Sequence, residues 1–215
     1  MQASAIAHPN IALIKYWGNR NDALRLPLSG SLSFNLSGLE TRTSVHFDIA
    51  LGQDEFLLDE KRQTGPVRDR VSAFLDIVRG LAGMDLPARV ESSNNFPAGA
   101  GIASSASAFA ALALAASKAA GLELSEAELS ALARRGSGSA CRSIPDGFVE
   151  WLPGADDASS YAVSIAPADH WDLRDLIVVL EAGHKQTGST EGHALAHSSP
   201  LNTLRLSGVN KRLHE

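Results

Sequence analysis

Over the first sixty residues, apolar side chains recur mainly at every second position, the period of a half-buried strand. Ala3 to Trp17 carries Ile6, Ile11, Leu13 and Ile14 around Pro9-Asn10. This predicts two short strands meeting at Pro9, which has no N–H for a central ladder. Leu28 to Leu39 (LSGSLSFNLSGL) alternates serine with Leu and Phe, a strand with hydroxyls on one side. Thr41 to Ile49 and Glu55 to Leu58 alternate again, and together these segments predict an antiparallel meander. The period then lengthens. Pro66 to Leu81 places Val67, Val71, Phe74, Leu75 and Val78 at helical spacing behind a first-turn proline. Ala88 to Phe96 reads as a strand with a polar end, Glu91 to Asn95. Ile102 to Ala120 is rich in Ala, Leu and Ser without Gly or Pro, a helix closed by Gly121. Ser125-Glu-Ala-Glu is a capping-box signature for a short helix through Arg134. Phe148–Leu152 and Tyr161–Ile165 predict a strand pair around Pro153-Gly154, and Leu173–Glu181 a further buried strand. Ser189 or Thr190 caps a helix through His197, and Leu201 opens another that is barely begun at Glu215.

Composition narrows the class. The 215 residues, 44% hydrophobic and 20% charged, suit one large globular domain or two small ones. A net charge of −5 without a Lys/Arg cluster argues against nucleic acid as a partner. The Ala-rich run from Ile102 carries Ser104, Ser105, Ser107, Ser117 and Lys118, so it reads as a buried helix and not a membrane span. The single cysteine, Cys141, excludes an internal disulfide framework. With an N-terminus (MQASAIAHPN) lacking signal-peptide character, it predicts a cytoplasmic location.

Three polar clusters carry candidate chemistry. In Pro97–Ser107 (PAGAGIASSAS), glycines lead into a helix N-terminus, where unpaired N–H groups and the helix dipole attract anions. This is a phosphate cradle or a plain turn before a buried helix; it lacks the GxxxxGK[ST] pattern. In Asn10–Gly18 (NIALIKYWG), alternation sends Leu13, Lys15 and Trp17 to one face and Ile14 and Tyr16 to the other. Lys15 among apolar neighbours is an anion ligand or a side chain whose head reaches water. In Gly136–Ser143 (GSGSACRS), Arg142 stands among small residues, as a guanidinium receiving a planar oxyanion would, or on a bland loop. His184 to Gly192 is a further polar cluster with a basic residue. His193 and His197 are spaced i, i+4 but lack a third metal ligand and the HExxH glutamate, and there is no GxSxG for a serine hydrolase.

The order and spacing of NIALIKYWG, NNFPAGAGIASSAS (Asn94–Ser107), GSGSACRS and STEG (Ser189–Gly192) strongly resemble the mevalonate diphosphate decarboxylases of the GHMP kinase superfamily, from Ala3 to about Leu206. The resemblance implies an α+β fold resembling the second domain of ribosomal protein S5. It implies a nucleotide- and substrate-binding domain over 1–182 and the start of an incomplete C-terminal domain over 183–215. The implied reaction is ATP- and Mg²⁺-dependent: the C3 hydroxyl of mevalonate 5-diphosphate is phosphorylated, then phosphate and CO2 leave to give isopentenyl diphosphate. By the same resemblance, Lys15 and Arg142 are catalytic, and Tyr16, Asn19, Ser139, Arg142 and Ser189 bind substrate. Pro97, Gly99, Ala100, Gly101, Ala103, Ser104, Ser105 and Ser107 hold ATP, with Ser105 near Mg²⁺. It also admits a homodimer.

Two departures bear on this. The family usually carries a Lys after Trp-Gly, a ligand of the diphosphate, where this chain has Asn19; Arg20 is a substitute cation. This points to the phosphomevalonate decarboxylase variant, making isopentenyl phosphate. Family members are also longer, and their catalytic Asp lies in a C-terminal half beyond this sequence; Asp169, Asp172 and Asp175 do not match its context. The chain therefore reads as part of a longer protein, as a truncated product, or as one that works without that group. The rivals are a mevalonate-type kinase that does not decarboxylate, and a non-catalytic nucleotide-binding fragment.

Overall fold

The computed structural model describes residues 1–97, 104–178 and 189–214, with the backbone alone at 189–191 and 214. The fold is α+β, built on two sheets. Strand β1 (Gln2–Ala7) ends at His8-Pro9, and β2 (Asn10–Ile14) begins in the other sheet. A small ribbon, β3 (Asn19–Asn21) and β4 (Leu26–Pro27), follows. Then come β5 (Ser31–Asn35), β6 (Thr41–Phe47), β7 (Glu55–Leu58) and β8 (Lys61–Gln63). Helix α1 (Pro66–Ala82), β9 (Ala88–Asn94), α2 (Ser104–Ala119) and α3 (Glu126–Gly136) lead to a 3-10 segment, Gly138–Ser143. Strands β10 (Phe148–Trp151) and β11 (Ala162–Ala166) precede α4 (Ser189–Leu195), a 3-10 turn at Ala196–Ser198, and α5 (Pro200–His214).

The larger sheet runs β1-β6-β9-β7-β8 and the smaller β11-β10-β5-β2. This corrects the expected meander. Pro9 separates β1 from β2, so β5 pairs with β2 and not β6. Strand β7 lies parallel to β9, with α1 in the connection between them, as parallel pairing requires a crossover. Residues 173–178, expected to begin a buried strand, form none; Leu176 is 88% exposed. Among the described residues no strand pairs with that segment, and an unpaired strand has no ladder to hold it. Helix α5 is a full fifteen residues and not a mere beginning.

Helix α2 is the central element. Ala106, Ala110, Ala111, Ala113, Ala115 and Ala116 are essentially inaccessible, so it is apolar around most of its circumference. It packs on β1 and β6 on one side and on α3 and the 3-10 segment on another. Val45, Phe47, Phe74, Leu75, Val78, Val90, Phe109 and Leu112 complete the main core. Each large side chain there contributes roughly 1.5–3 kcal/mol by leaving water. Helix α3 begins with the predicted capping box, Ser125 and Glu128 bonding reciprocally. In β5 the buried side is the hydroxyl side: Ser31 and Ser33 are inaccessible, and Leu32 and Phe34 are only half-buried. A strand that buries serines is facing something polar.

Candidate functional site

What β5 faces is the 3-10 segment and the strand-end of β2. The ladder of β2 stops at Ile14, yet the alternation continues: Leu13, Lys15 and Trp17 lie outward and Tyr16 is buried. The Tyr16 ring is wedged edge-on to Trp151 (centroids 4.6 Å, 62°) and stacked on His193 (4.1 Å, 26°). A Cβ on Gly138 would meet the Tyr16 ring edge and hydroxyl at 2.9 Å, so glycine is what lets the ring in. The Tyr16 hydroxyl donates to Asn19 Oδ1, and burial pushes its pKa up to about 12, so it remains a donor.

The 3-10 segment carries Arg142. Ser130 Oγ donates to the Cys141 carbonyl (3.0 Å) and Cys141 Sγ to the Gly138 carbonyl (3.1 Å), fixing the turn from both ends. Arg142 is 4% exposed. Its Nε and Nη2 donate to Asn10 Oδ1 (3.2 and 3.1 Å), and its Nη1 to Ser31 Oγ (2.7 Å). Asn10 is held in turn by Nδ2 bonds to the Ser139 carbonyl (3.1 Å) and Ser143 Oγ (2.8 Å). Every one of these partners is neutral, and among the described residues no carboxylate forms an ion pair with Arg142. Burial lowers its pKa, but a guanidinium stays charged throughout the physiological range. A buried cation without a counter-charge is an anion site in waiting. Lys15 is its neighbour: desolvation first, then repulsion from Arg142, lowers the Lys15 pKa, while Asp175 pulls it up.

The described part of α2 starts at Ser104, at the edge of a cavity of about 500 Å³ between α1, α2 and the larger sheet. Asn94, Ser92, Ser104 and Ser105 give it one polar wall, and Val71, Phe109 and Leu112 an apolar one. Arg70 enters it with its guanidinium 4.6 Å from the Phe109 ring centre, donating to the Gly136 carbonyl at 2.8 Å. Burial, then Arg25, lowers the Arg70 pKa to about 10. Ser105 Oγ lies 3.3 Å from Ser137 Oγ. Through Ser105 and Arg70 the cavity lining contacts Ser137 and Gly136, and the next residue, Gly138, opens the 3-10 segment that carries Arg142.

The expected site residues fall unevenly. Lys15, Tyr16, Asn19 and Arg142 come together, and Ser139 contributes the carbonyl that holds Asn10. Asn19 is committed: besides accepting from Tyr16, its Nδ2 donates to Asp22 Oδ1 at 2.8 Å. Arg20 donates to the carbonyls of Pro27 (3.1 Å), Pro153 (3.1 Å) and Gly154 (2.7 Å), neutral partners that hold its guanidinium in place without cancelling its charge. Pro97 is exposed at the end of the first described segment, and Gly99, Ala100, Gly101 and Ala103 lie outside the described residues. Ser104 and Ser105 line the cavity, but Ser107 is inaccessible and its hydroxyl is bonded to Thr41 Oγ1 (2.7 Å) and the Ser104 carbonyl (3.2 Å). Ser107 therefore departs from its expected place among the nucleotide ligands and braces the helix start. Ser189 opens α4, and its side chain lies outside what is described. Sequence reasoning passed over Asn10, Ser31 and Arg70 as site residues, and weighed His193 only as a metal ligand. Asn10 was legible as a polar residue opening an apolar strand, and Arg70 as a charge beside the apolar stripe of α1. The serine alternation around Ser31 did not say which face turns inward, and the His193/His197 spacing did not say what the pair holds.

Residues 7–162 match the family described as diphosphomevalonate decarboxylase-like N-terminal domain. The chain belongs to the diphosphomevalonate decarboxylase-like family. The human diphosphomevalonate decarboxylase is 42% identical over 220 residues, covering 93% of this chain and 54% of the relative. The phosphomevalonate decarboxylase of Haloferax volcanii is 34% identical over 215 residues, covering 100% of this chain and 65% of the relative. Among solved structures, MDDEF in complex with MVAPP, AMPPCP and magnesium superposes with a TM-score of 0.90 at 41% identity, over 100% of this chain and 66% of that one. This decarboxylase-like chain spans a little over half the length of the first relatives it matches, 57% and 54%.

Proposed function

We propose that this chain binds a phosphorylated mevalonate together with Mg·ATP and serves ATP-dependent decarboxylation to an isopentenyl product. The observation that carries this is the uncompensated buried Arg142, held by Asn10 and Ser31 beside Lys15 and adjoining a nucleotide-sized cavity. Arg142 holds the substrate carboxylate in its guanidinium fork. Lys15 neutralises charge near the C3 hydroxyl as it is phosphorylated, and Tyr16 lines the substrate chain. The nucleotide's base occupies the cavity between Phe109, Leu112 and Asn94, with its phosphates toward the α2 N-terminus at Ser104 and Ser105.

No group of three or more His, Cys, Asp or Glu is placed to hold a metal among the described residues. Mg²⁺ would be held largely through phosphate oxygens with few protein ligands; Ser105 and Ser104 are the hydroxyls at the cavity edge. Bound Mg·ATP supplies the phosphoryl group that turns the C3 hydroxyl into a leaving group, so that phosphate and CO2 depart together. The chain's own part is positioning and charge neutralisation. In this reading residues 1–182 are the nucleotide- and substrate-binding domain, and 183–215 begin a second domain. No described helix is long and apolar enough to cross a membrane, and a cytoplasmic location and a homodimer complete the proposal.

A second reading, mevalonate 5-phosphate as substrate, is favoured by Asn19. Its amide is spent on Tyr16 and Asp22, and the Asp22 carboxylate adds negative charge there. A second phosphate would lack a cation at position 19, a contact worth about 1.5–3 kcal/mol. The test is to follow CO2 and ADP with mevalonate and its mono- and diphosphates. Stoichiometric CO2 and ADP support decarboxylation, ADP alone makes the protein a kinase, and the preferred phosphate count decides between the readings. Neither product, with nucleotide still bound, leaves a non-catalytic nucleotide binder.

A further inference from the structure

Beyond Ile14 the chain leaves its sheet partner, yet its main-chain groups are not left to solvent. Nδ1 of His193, in α4, accepts from the Gly18 N–H at 3.0 Å. Nε2 of His197, one helical turn on, lies 2.9 Å from the Asn19 carbonyl. Arg205 of α5 donates to the Lys15 carbonyl (3.1 Å) and the Trp17 carbonyl (3.0 Å). Four main-chain groups between Lys15 and Asn19 are thus held by three side chains from one C-terminal segment. The partners fix the histidine chemistry. A carbonyl only accepts, so His197 carries its proton on Nε2, whatever its charge. An amide N–H only donates, so His193 must be neutral, with a bare Nδ1 and its proton on Nε2. The His193 ring also stacks on Tyr16 and tilts against Trp17 at 4.7 Å. Burial, then Arg25, and also Arg142, holds its pKa down to about 4 against the opposite pull of Asp22.

We propose that His193, His197 and Arg205 are positioning residues: they clamp the Lys15–Asn19 main chain and so fix where Lys15, Tyr16 and Asn19 meet the substrate. The clamp replaces the ladder that β2 has lost, and it makes the placement of Lys15, Tyr16 and Asn19 depend on the docking of α4 and α5. It explains an i, i+4 histidine pair that has no metal chemistry. The consequence for ligand binding rests on the function proposed above; the clamp itself does not.

The test uses four variants of the full chain. His193→Phe keeps the stacked ring and removes the acceptor, and His193→Asn keeps an acceptor near the Nδ1 position without the ring. His197→Leu removes the donor and His197→Gln retains one. Amide exchange at Gly18 is followed by NMR, with titrations of mevalonate 5-phosphate and of Mg·AMPPCP. Gly18 should exchange about tenfold faster in His193→Phe and near the native rate in His193→Asn. Mevalonate 5-phosphate should bind about tenfold more weakly to His193→Phe and His197→Leu, with recovery in His193→Asn and His197→Gln and unchanged Mg·AMPPCP binding. Native Gly18 protection and native affinity in His193→Phe would overturn the proposal, as would equal losses in the conservative and disruptive variants. If the unmodified protein binds neither mevalonate 5-phosphate nor mevalonate 5-diphosphate while Gly18 protection still tracks the His193 acceptor, the main-chain clamp stands and the decarboxylase reading falls.

Discussion

At the scale of single residues, the site turns on charges without counter-charges. Replacing Arg142 by Met removes a buried cation that has only neutral partners. The account predicts at least a tenfold loss of mevalonate phosphate affinity with Tm unchanged or slightly raised, since an unpaired buried charge costs stability. Calorimetry and thermal melts check both halves; a large fall in Tm would make Arg142 a structural residue. Asn19→Lys should shift preference toward the diphosphate, read as the ratio of kcat/KM for the two phosphates, because it restores a cation where Asp22 and Tyr16 now hold an amide. Titration gives a further check. The His193 pKa falls from an ordinary 6.5 to about 4 in the folded chain. The unfolded chain therefore takes up this proton first as pH drops. Stability contributed by neutral His193 is present above about 6.5 and drains away toward about 4, with a slope no steeper than about 1.4 kcal/mol per pH unit. His193→Phe should flatten that limb of a pH-denaturation curve. What the sequence showed here was Lys15, Tyr16 and Arg142, whose types and spacing announce themselves. It could not show that Asn19 and Arg20 are already bonded within the fold, because Asp22, Pro153 and Gly154 become partners only when the β3–β4 ribbon forms.

At the scale of elements, local rules and packing divide the work. The capping box of α3, the proline start of α1 and the β10–β11 pair were legible because each is set by a few consecutive residues. The pairing of β7 with β9 was not, since alternation gives a strand its faces and not its neighbour. Nor was the inward hydroxyl face of β5, which is decided by Arg142 more than a hundred residues away. Ser125→Ala should lower stability by about 1 kcal/mol and leave ligand binding intact, as measured by denaturant titration and calorimetry. Two glycines should separate scaffold from site. A Cβ at Gly136 would lie 2.0 Å from Phe109 Cδ1, in the main core, so Gly136→Ala should cost about 1–3 kcal/mol. A Cβ at Gly138 would instead push on Tyr16, so Gly138→Ala should weaken substrate binding more than it lowers Tm. Equal effects of the two on affinity would contradict the division of labour argued here.

At the scale of the molecule, α2 joins the parts. Its flanks pack on the larger sheet and on the 3-10 segment, its N-terminal serines line the cavity, and its core neighbour Gly136 leads into the arginine-bearing turn. Residues far apart in sequence are brought together, Arg70 at the cavity and Asn10, Ser31 and His193 around the neighbouring Arg142 and Tyr16 side chains. No periodicity could have announced that convergence, whereas the order of the motifs did announce the family. The central claim is that these parts form one site, with a nucleotide at Ser104–Ser105 and an anionic substrate at Arg142. The most direct measurement is calorimetric titration of Mg·AMPPCP and of mevalonate 5-phosphate into the unmodified protein and into Arg142→Gln. The account predicts that the unmodified protein binds both, each tightening the other, and that Arg142→Gln loses mevalonate phosphate at least tenfold while keeping the nucleotide. Equal mevalonate phosphate affinity in the two proteins, or nucleotide binding indifferent to the substrate, would contradict it.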